Sequence, residues 1–397
     1  MKILHTEAST GWGGQEIRIL SEAAGMIARG HQVELACPSD ARIFIEAPRR
    51  GIRAHPLPIG RKNIAGLAAM RRFLRAHSYD VINTHSSTDS WLVALASIGW
   101  RAPPLVRTRH ISAAVPNNAA TRWLYGRAST HVATTGIALR DQLIRDNGLP
   151  AERVTSVPTG IDASRFPPTD DAIRALRRIE LGLDPRAPLI GIVATLRSWK
   201  GHRYLIEALA HLEDRTTRLA IVGDGPQRAA LEQLAVALKV ADRIVFAGNR
   251  DDVSPWLQSF DVFALPSYAN EGVPQALLQA MFTGLASVTT DAGAIPEIAI
   301  DGQTAVVVPR EDSTALAKAL SQLLADDSAG ARRATGAAGE SRATRDAGAS
   351  PASSAASASR TKELGDAARS LVLDRHSLDV MLDRMESIFA AAVRTKR

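Results

Sequence analysis

The sequence predicts an α/β protein built as two doubly wound domains in tandem, and three observations point there. The chain has 397 residues, too many for one ordinary domain and a natural length for two. Short apolar runs alternate with helical patterns, the mark of parallel strands joined by crossover helices. That plan is written twice, once on each side of a stretch punctuated by Pro167, Pro168 and Pro185. Apolar residues make up 45 % and charged residues 22 %, values for a chain that folds around cores.

In the first half, residues 2–6 read as a buried strand and 15–28 as a helix, with Gly30 where a helix stops. Further strands are expected at 32–36, 53–57, 81–83, 105–109, 131–133 and 154–157. Residues 169–186 read as a linker with a short helix. The second half restarts with a strand at 189–194 and a helix at 204–211. A strand at 219–222 and a helix at 226–238 follow, with Pro226 at the helix's first position. Strands at 244–247, 262–265, 286–289 and 305–308 complete the second sheet. Residues 330–361 are Ala, Ser, Gly, Arg and Thr, too poor in large apolar groups to offset their ordering entropy, and read as an exposed, mobile insertion. Order returns at the end, where Leu378, Met381, Leu382, Met385, Ile388, Phe389 and Ala392 share one helical face. The expected domains are therefore 1–167, 168–329, the insertion 330–363, and a helical segment 364–397 that packs back on the first domain.

The net charge is +7 and the isoelectric point about 9.9. That balance suits anionic partners, among them sugar nucleotides, phosphate-bearing lipids and membrane surfaces. Aromatics are 5 % and do not interleave with the basic residues, which argues against nucleic acid. Cys37 is the sole cysteine, so no internal disulfide or cysteine-based zinc site can form, and no His and carboxylate set has metal-ligand spacing. The N-terminal apolar run is too short for a signal peptide, and the longest apolar stretch, 91–100, is too short to span a bilayer. A cytoplasmic protein, able to rest on the inner face of the cell membrane, is the expectation. Lys62, Arg71, Arg72 and Arg75 share a segment with Ile64, Leu67, Met70, Phe73 and Leu74. It reads either as a basic helix lying on anionic lipid or as an ordinary surface helix of the first sheet.

Ligands of open α/β sheets bind beyond the carboxyl ends of the strands, so the residues just after each strand carry the chemistry. After the first strand come Gly11, Trp12, Gly13 and Gly14, which let backbone N–H groups approach a phosphate or simply make a tight turn. After the first strand of the second domain come Arg197 and Lys200, two cations able to grip a diphosphate, one forked and one a point charge. Gly223-Asp224-Gly225-Pro226 would bring backbone close to a base or ribose, or be a plain turn. Glu271-Gly272-Val273-Pro274 precedes a helix carrying Gln279, and a carboxylate there can accept from sugar hydroxyls while the helix end faces phosphates. It can equally do no more than complement the helix dipole. His85 and His110 each follow a strand of the first domain and are weighed as catalysts against satisfied structural partners.

Taken in order, these motifs resemble glycosyltransferase family 4, whose members are retaining enzymes of the GT-B fold, two Rossmann-like domains with a cleft between them. The resemblance rests on Gly13-Gly14-Gln15-Glu16, Val157-Pro158-Thr159-Gly160-Ile161-Asp162, Arg197 with Lys200-Gly201, and Gly223-Asp224-Gly225-Pro226. It rests further on residues 261–267, Glu271-Gly272-Val273-Pro274 and residues 293–298. It implies a nucleotide diphosphate-sugar donor held mainly by the second domain, a glycan or glycolipid acceptor, and no cofactor or metal. Arg197 and Lys200 would hold the diphosphate, Glu271 the donor sugar, Gly14 the diphosphate from the other domain, and His110 would lie near sugar and phosphate. The family's second acid, which holds the ribose, falls at Gln279, an amide that can still bond hydroxyls but carries no charge. Lipopolysaccharide or another bacterial surface polysaccharide is the expected product. A catalytically silent sugar-nucleotide-binding scaffold is the alternative that Gln279 keeps in view, and a sugar-nucleotide epimerase is a lesser one.

Overall fold

The computed structural model describes residues 1–110, 115–269, 271–340 and 359–396, and the backbone alone at 327–340 and 396. The chain divides into two compact units, Met1–Asp162 with Arg375–Arg397, and Ala163–Asp374.

The first unit is built on a seven-stranded parallel sheet of β1 (Lys2–Thr6), β2 (Gln32–Cys37), β3 (Arg53–Pro56), β4 (Val81–Thr84), β5 (Leu105–Arg109), β6 (His131–Thr134) and β7 (Val154–Ser156). Its spatial order is β3-β2-β1-β4-β5-β6-β7. Alternation along β1 sends successive residues to opposite faces. Ile3 packs with Leu20 and Met26 of the helix Gly14–Ala28, while Leu4 packs with Ile82, Phe73, Leu74 and Leu92 on the other side. The closing helix, Leu378–Lys396, lays Met381, Leu382, Met385, Ile388, Phe389 and Ala392 into the Ile3 cluster. The two places where the chain passes between units are bonded side by side, with Ile161 N–H donating to His376 O at 2.8 Å and Leu378 N–H to Ile161 O at 2.9 Å.

The helix Ile64–Ala76 turns Met70, Phe73 and Leu74 into the core of this unit and leaves Ile64 exposed. Arg71 caps the carbonyls of Ala96 and Ile98. Its apolar face is thus covered by the sheet, which is the geometry of a surface helix. Among the described residues no helix is long and apolar enough to cross a membrane.

The second unit carries a six-stranded sheet in the order β10-β9-β8-β11-β12-β13. Its strands are β8 (Leu189–Val193), β9 (Arg218–Val222), β10 (Ile244–Gly248), β11 (Val262–Leu265), β12 (Ser287–Thr289) and β13 (Val306–Val307), all pairing parallel.

The structure sharpens three sequence expectations. The stretch read as a linker with a short helix contains the helix Asp171–Glu180 of the second unit, locked by Arg178, which is buried and donates to Asp261 Oδ2 at 2.6 Å and Ser259 O at 2.8 Å. Its charges are partners for loop carbonyls and a buried aspartate, which sequence alone cannot distinguish from a solvated run. Pro226 does not open its helix, which begins at Arg228 behind a Gln227 cap. The backbone at 330–340, inside the stretch read as a mobile insertion, continues the helix Ser313–Glu340. A second helix, Arg360–His376, starts inside the same expected insertion, and residues 341–358 of that insertion lie outside the described residues. All of that helix but its last two residues belongs to the second unit, and the return to the first begins at Arg375.

Candidate active site

In each sheet the strand order reverses once, between β1 and β4 and between β8 and β11. Helices leave to opposite faces on either side of such a point, so the carboxyl ends there open a crevice. Gly13, Gly14 and His85 follow β1 and β4, Arg197, Lys200 and Glu271 follow β8 and β11, and His110, Gly223 and Gly225 follow the adjacent strands β5 and β9.

In the second unit the chain leaves β8 and makes a tight turn, Ser198–Lys200, with Arg197 ahead of it. Lys200 N–H donates to Arg197 O at 3.1 Å, which fixes the two cations on one turn. Gly201 then adopts φ +75, and a Cβ there would stand 1.9 Å from Pro266 O. Only glycine permits that approach, and it brings the loop after β8 against the loop after β11. Tyr268 N–H reinforces the contact by donating to Trp199 O at 2.9 Å. The consequence is a side-chain pair that joins the two loops. Lys200 Nζ donates to Glu271 Oε1 at 2.6 Å, and Ser267 Oγ donates to the same oxygen at 2.6 Å. Glu271 is 3 % exposed, so its carboxylate is held by donors inside the loop cluster. Its carbonyl accepts from Ala294 N–H at 3.1 Å, tying in the loop after β12. Arg197 is exposed, with its guanidinium 5.8 Å from the Trp199 ring centre.

Gly223 has φ +139, and a Cβ on it would meet Ala194 O at 2.1 Å. Leu196 N–H donates to Asp224 O at 3.0 Å and Gln227 N–H to Leu196 O at 3.1 Å. The glycines of this turn, Gly223 and Gly225, therefore let it lie against the loop after β8. Val273 is buried, Gly272 is half-buried, and Pro274 caps the helix Gln275–Phe282. Gln279 sits one turn into that helix and is half-buried.

In the first unit, Gly13 caps the helix Gly14–Ala28 and Gly14 is exposed at its first turn. Glu7 lies buried just beyond β1, accepting from Ser9 N–H at 2.7 Å and from Gln15 Nε2. Burial and the nearby Asp89 push its carboxyl well above the ordinary range. Asp89 is buried too and raised by burial, although Ser86, Thr6 and the His85 N–H all bond it. His110 is half-buried after β5, with its Nε2 at 2.9 Å from His85 Nδ1. Arg18, fully buried, donates to Val157 O at 2.7 Å and ties the first helix to the segment 157–162.

The second unit thus brings Lys200 and Glu271 into contact with Arg197 on the same turn, and His110, Gly13 and Gly14 belong to the first unit's own crevice. Sequence reasoning missed Ser267, Glu7, Asp89 and His5. Ser267 had a signal, since it ends the quoted run 261–267 directly after a strand. The other three are polar groups in or against β1 and gave none.

Residues 12–165 match the family Glycosyltransferase Family 4, and residues 187–326 match Glycosyl transferases group 1. The D-inositol 3-phosphate glycosyltransferase of Xylanimonas cellulosilytica is 30 % identical, over 82 % of this chain and 86 % of that protein. A GDP-mannose-dependent alpha-(1-6)-phosphatidylinositol monomannoside mannosyltransferase of Mycolicibacterium smegmatis is 36 % identical over 45 % of this chain and 48 % of its own. Among solved structures, a glycosyltransferase of Rickettsia africae superposes with a TM-score of 0.82 at 18 % identity, covering 99 % of this chain and 98 % of that one. An Anabaena protein solved with UDP superposes at 0.78 and 20 % identity, covering 98 % and 100 %. These two likenesses establish the fold.

Proposed function

We propose, from the premise that the chain belongs to the family 4 and group 1 glycosyltransferases, that it moves a sugar from a nucleotide diphosphate donor to a glycan or glycolipid acceptor with retention at the anomeric carbon. The observation that carries this reading is the Lys200–Glu271 pair at the β8/β11 crevice, with Arg197 on the same turn. A Lys ammonium has three donors and Glu271 takes one, which leaves Lys200 able to bond diphosphate oxygens as well. Arg197 adds a forked contact from an exposed position. As the anomeric carbon gains oxocarbenium character the diphosphate leaves with growing negative charge, and cations already in place act on that charge without reorganising. Two cations can supply the charge neutralisation that a divalent ion can otherwise supply, so we read the reaction as metal-independent. Glu271, oriented by Lys200 and Ser267 before any sugar arrives, would receive the donor sugar's hydroxyls, and Gln279 the ribose. Backbone at Gly13, Gly14, Gly223, Gly225, Gly272 and Val273 would approach the nucleotide, and His110 the sugar and phosphate.

The names of the Xylanimonas and Mycolicibacterium relatives make phosphoinositol-bearing acceptors the first to test, with lipopolysaccharide and other surface polysaccharides next. The test begins with thermal shifts against a panel of nucleotide sugars, since a ligand that binds the native state raises its stability. The stabilising donor is then incubated with and without acceptors. Release of nucleoside diphosphate with transfer of the sugar is the expected outcome. Tight donor binding with no release under any acceptor would replace this reading with the silent scaffold that Gln279 suggests.

A further inference from the structure

β1, β4 and β5 are neighbours in the first sheet, and each presents a histidine at or beyond its carboxyl end. His5 Nδ1 lies 2.8 Å from His85 Nε2, and His85 Nδ1 lies 2.9 Å from His110 Nε2. The row begins in the interior, since His5 and Glu22 are 0 % exposed and His85 3 %, and it ends at the half-buried His110. At the inner end His5 Nε2 stands 4.0 Å from Glu22 Oε1. Neither His5 Nε2 nor Glu22 Oε2 has a hydrogen-bond partner among the described residues, while Glu22 Oε1 accepts from Asn83 Nδ2 at 3.1 Å. Glu22 Oε2 is ion-paired with Arg18 Nε at 3.8 Å, beyond hydrogen-bond length, so two buried polar atoms here lack a hydrogen bond, which is costly and calls for a role.

Burial keeps the three rings neutral. It lowers His5 to about 3 and holds His85 and His110 well below the ordinary histidine value, helped by the positive Arg18 and Arg107. A neutral imidazole carries one N–H and one lone pair. His85 has both nitrogens engaged, so it donates to one neighbour and accepts from the other, and both bonds in the row must run the same way. Two arrangements result. If Glu22 is ionised it is an acceptor, His5 turns an Nε2–H toward it, and His110 Nδ1 is left with a lone pair. If Glu22 is protonated, His5 Nε2 carries the lone pair and His110 Nδ1 carries the proton.

We propose that Glu22, His5 and His85 form a proton relay that sets whether the outer nitrogen of His110 accepts or donates a hydrogen bond. A proton bound at His110 Nδ1 displaces the Nε2 proton to His85 Nδ1. His85 passes its Nε2 proton to His5 Nδ1, and His5 passes its Nε2 proton to Glu22 Oε1. Each N–H formed is matched by one broken, and the sum is one proton taken at Nδ1 and one O–H made on Glu22. The last step needs the 4.0 Å gap to close by roughly 1 Å to hydrogen-bond length. Burial raises the Glu22 carboxyl to about 7 against the opposing pull of Arg18 and Asn83, so both arrangements are reached near neutrality. The other charged groups around the row are Arg107 from β5, Asp89, whose oxygens bond Thr6, Ser86 and the His85 backbone, and Glu7 beyond β1. The closing helix contributes the edge of Phe389, 6.4 Å from His5. His5, His85 and Glu22 are positioning residues here. Their consequence for the reaction rests on the placement of His110 beside sugar and phosphate proposed above: the lone-pair form would accept from a sugar hydroxyl, and the N–H form would donate to a phosphate oxygen.

The test is long-range ¹H–¹⁵N correlation on the full chain labelled at histidine, which separates N–H from lone-pair nitrogens. Through the Glu22 titration, near about 7, the nitrogens of all three rings are expected to exchange types together at one midpoint, with none becoming imidazolium. Glu22→Gln should abolish that collective exchange, and His85→Phe should uncouple His110 from Glu22. Rings that charge one at a time, or tautomers that ignore pH in the unmodified protein, would overturn the relay even if neither variant folds. The pH profile of kcat then reports separately on the reaction. A collective exchange with a profile identical in Glu22→Gln would leave the relay standing and remove His110 from the chemistry.

Discussion

The carboxyl ends of β1 and β4 occupy the same place in the first sheet as those of β8 and β11 in the second, yet the two crevices are filled by opposite kinds of side chain. The second holds an exposed guanidinium, a half-buried ammonium and one carboxylate compensated by Lys200 and Ser267. The first holds His5, Glu7, His85 and Asp89 buried beside a fully buried Arg18 and Arg107, and burial shifts the protonation of the histidines and carboxyls toward neutral forms. One winding thus supplies the same address twice, and solvation decides what each address does. A guanidinium open to water and an ammonium already paired suit a departing diphosphate. Groups stripped of water become neutral and suit fixed hydrogen bonding or proton movement.

The largest expected effect tests the charged crevice. Arg197→Ala should lower kcat about 10²–10³-fold, as loss of one preorganised group facing developing charge does, with a much smaller change in donor affinity. Weaker binding at unchanged kcat would make Arg197 a binding residue only, and the contrast between crevices would fade. Gly201→Ala attacks the joint that brings Lys200 to Glu271. Its Cβ has no room against Pro266 O, so chemical denaturation should show a loss of about 2–4 kcal/mol, and an alanine tolerated within about 0.5 kcal/mol would mean the two loops part easily. Gln279→Glu should sharpen the second crevice by tightening the donor about tenfold, one charge-assisted hydrogen bond to a ribose hydroxyl, read by calorimetry. Weaker binding would take position 279 away from the ribose.

The smallest effect belongs to the first crevice and is a slope. Glu22 is raised from 4.5 to about 7, so the folded state binds its proton more tightly than the unfolded chain, and the stability this contributes is lost as pH rises through about 7. Glu7, also raised, acts in the same direction. His5, lowered from 6.5 to about 3, acts oppositely, but only below the ordinary histidine value. Denaturation midpoints should therefore fall as pH climbs from about 6.5 toward 8, where the carboxyls act alone, and Glu22→Gln should make the fall shallower up to about 7 while leaving the part that Glu7 drives up to about 8. A midpoint that rises across this range would mean that the buried carboxyls stay ionised.

Much of the architecture was legible because it is a periodic property. The buried strands read as apolar runs, and the stripe from Leu378 to Ala392 read as one face and is the face that lies in the Ile3 cluster. Sequence failed where composition and contact disagree. The short helix at 171–180 was legible, but not that Arg178 would bind it to Asp261 and the Ser259 carbonyl. Arg197, Lys200 and Glu271 could be named from strand-end position and motif, whereas Ser267 as a second holder of Glu271 could not be read from local pattern.

By itself the sequence determined the alternation of strand and helix, the two sheets and the loops on which cations and glycines fall, because local periodicity and turn chemistry are written in neighbouring residues. Tertiary structure alone decided that Lys200 meets Glu271 across 71 positions, and that histidines 80 and 25 positions apart stand in one row ending at a buried glutamate. Those are contacts between strands adjacent in space and distant in chain, and burial, which no single stretch of sequence carries, is what sets their protons.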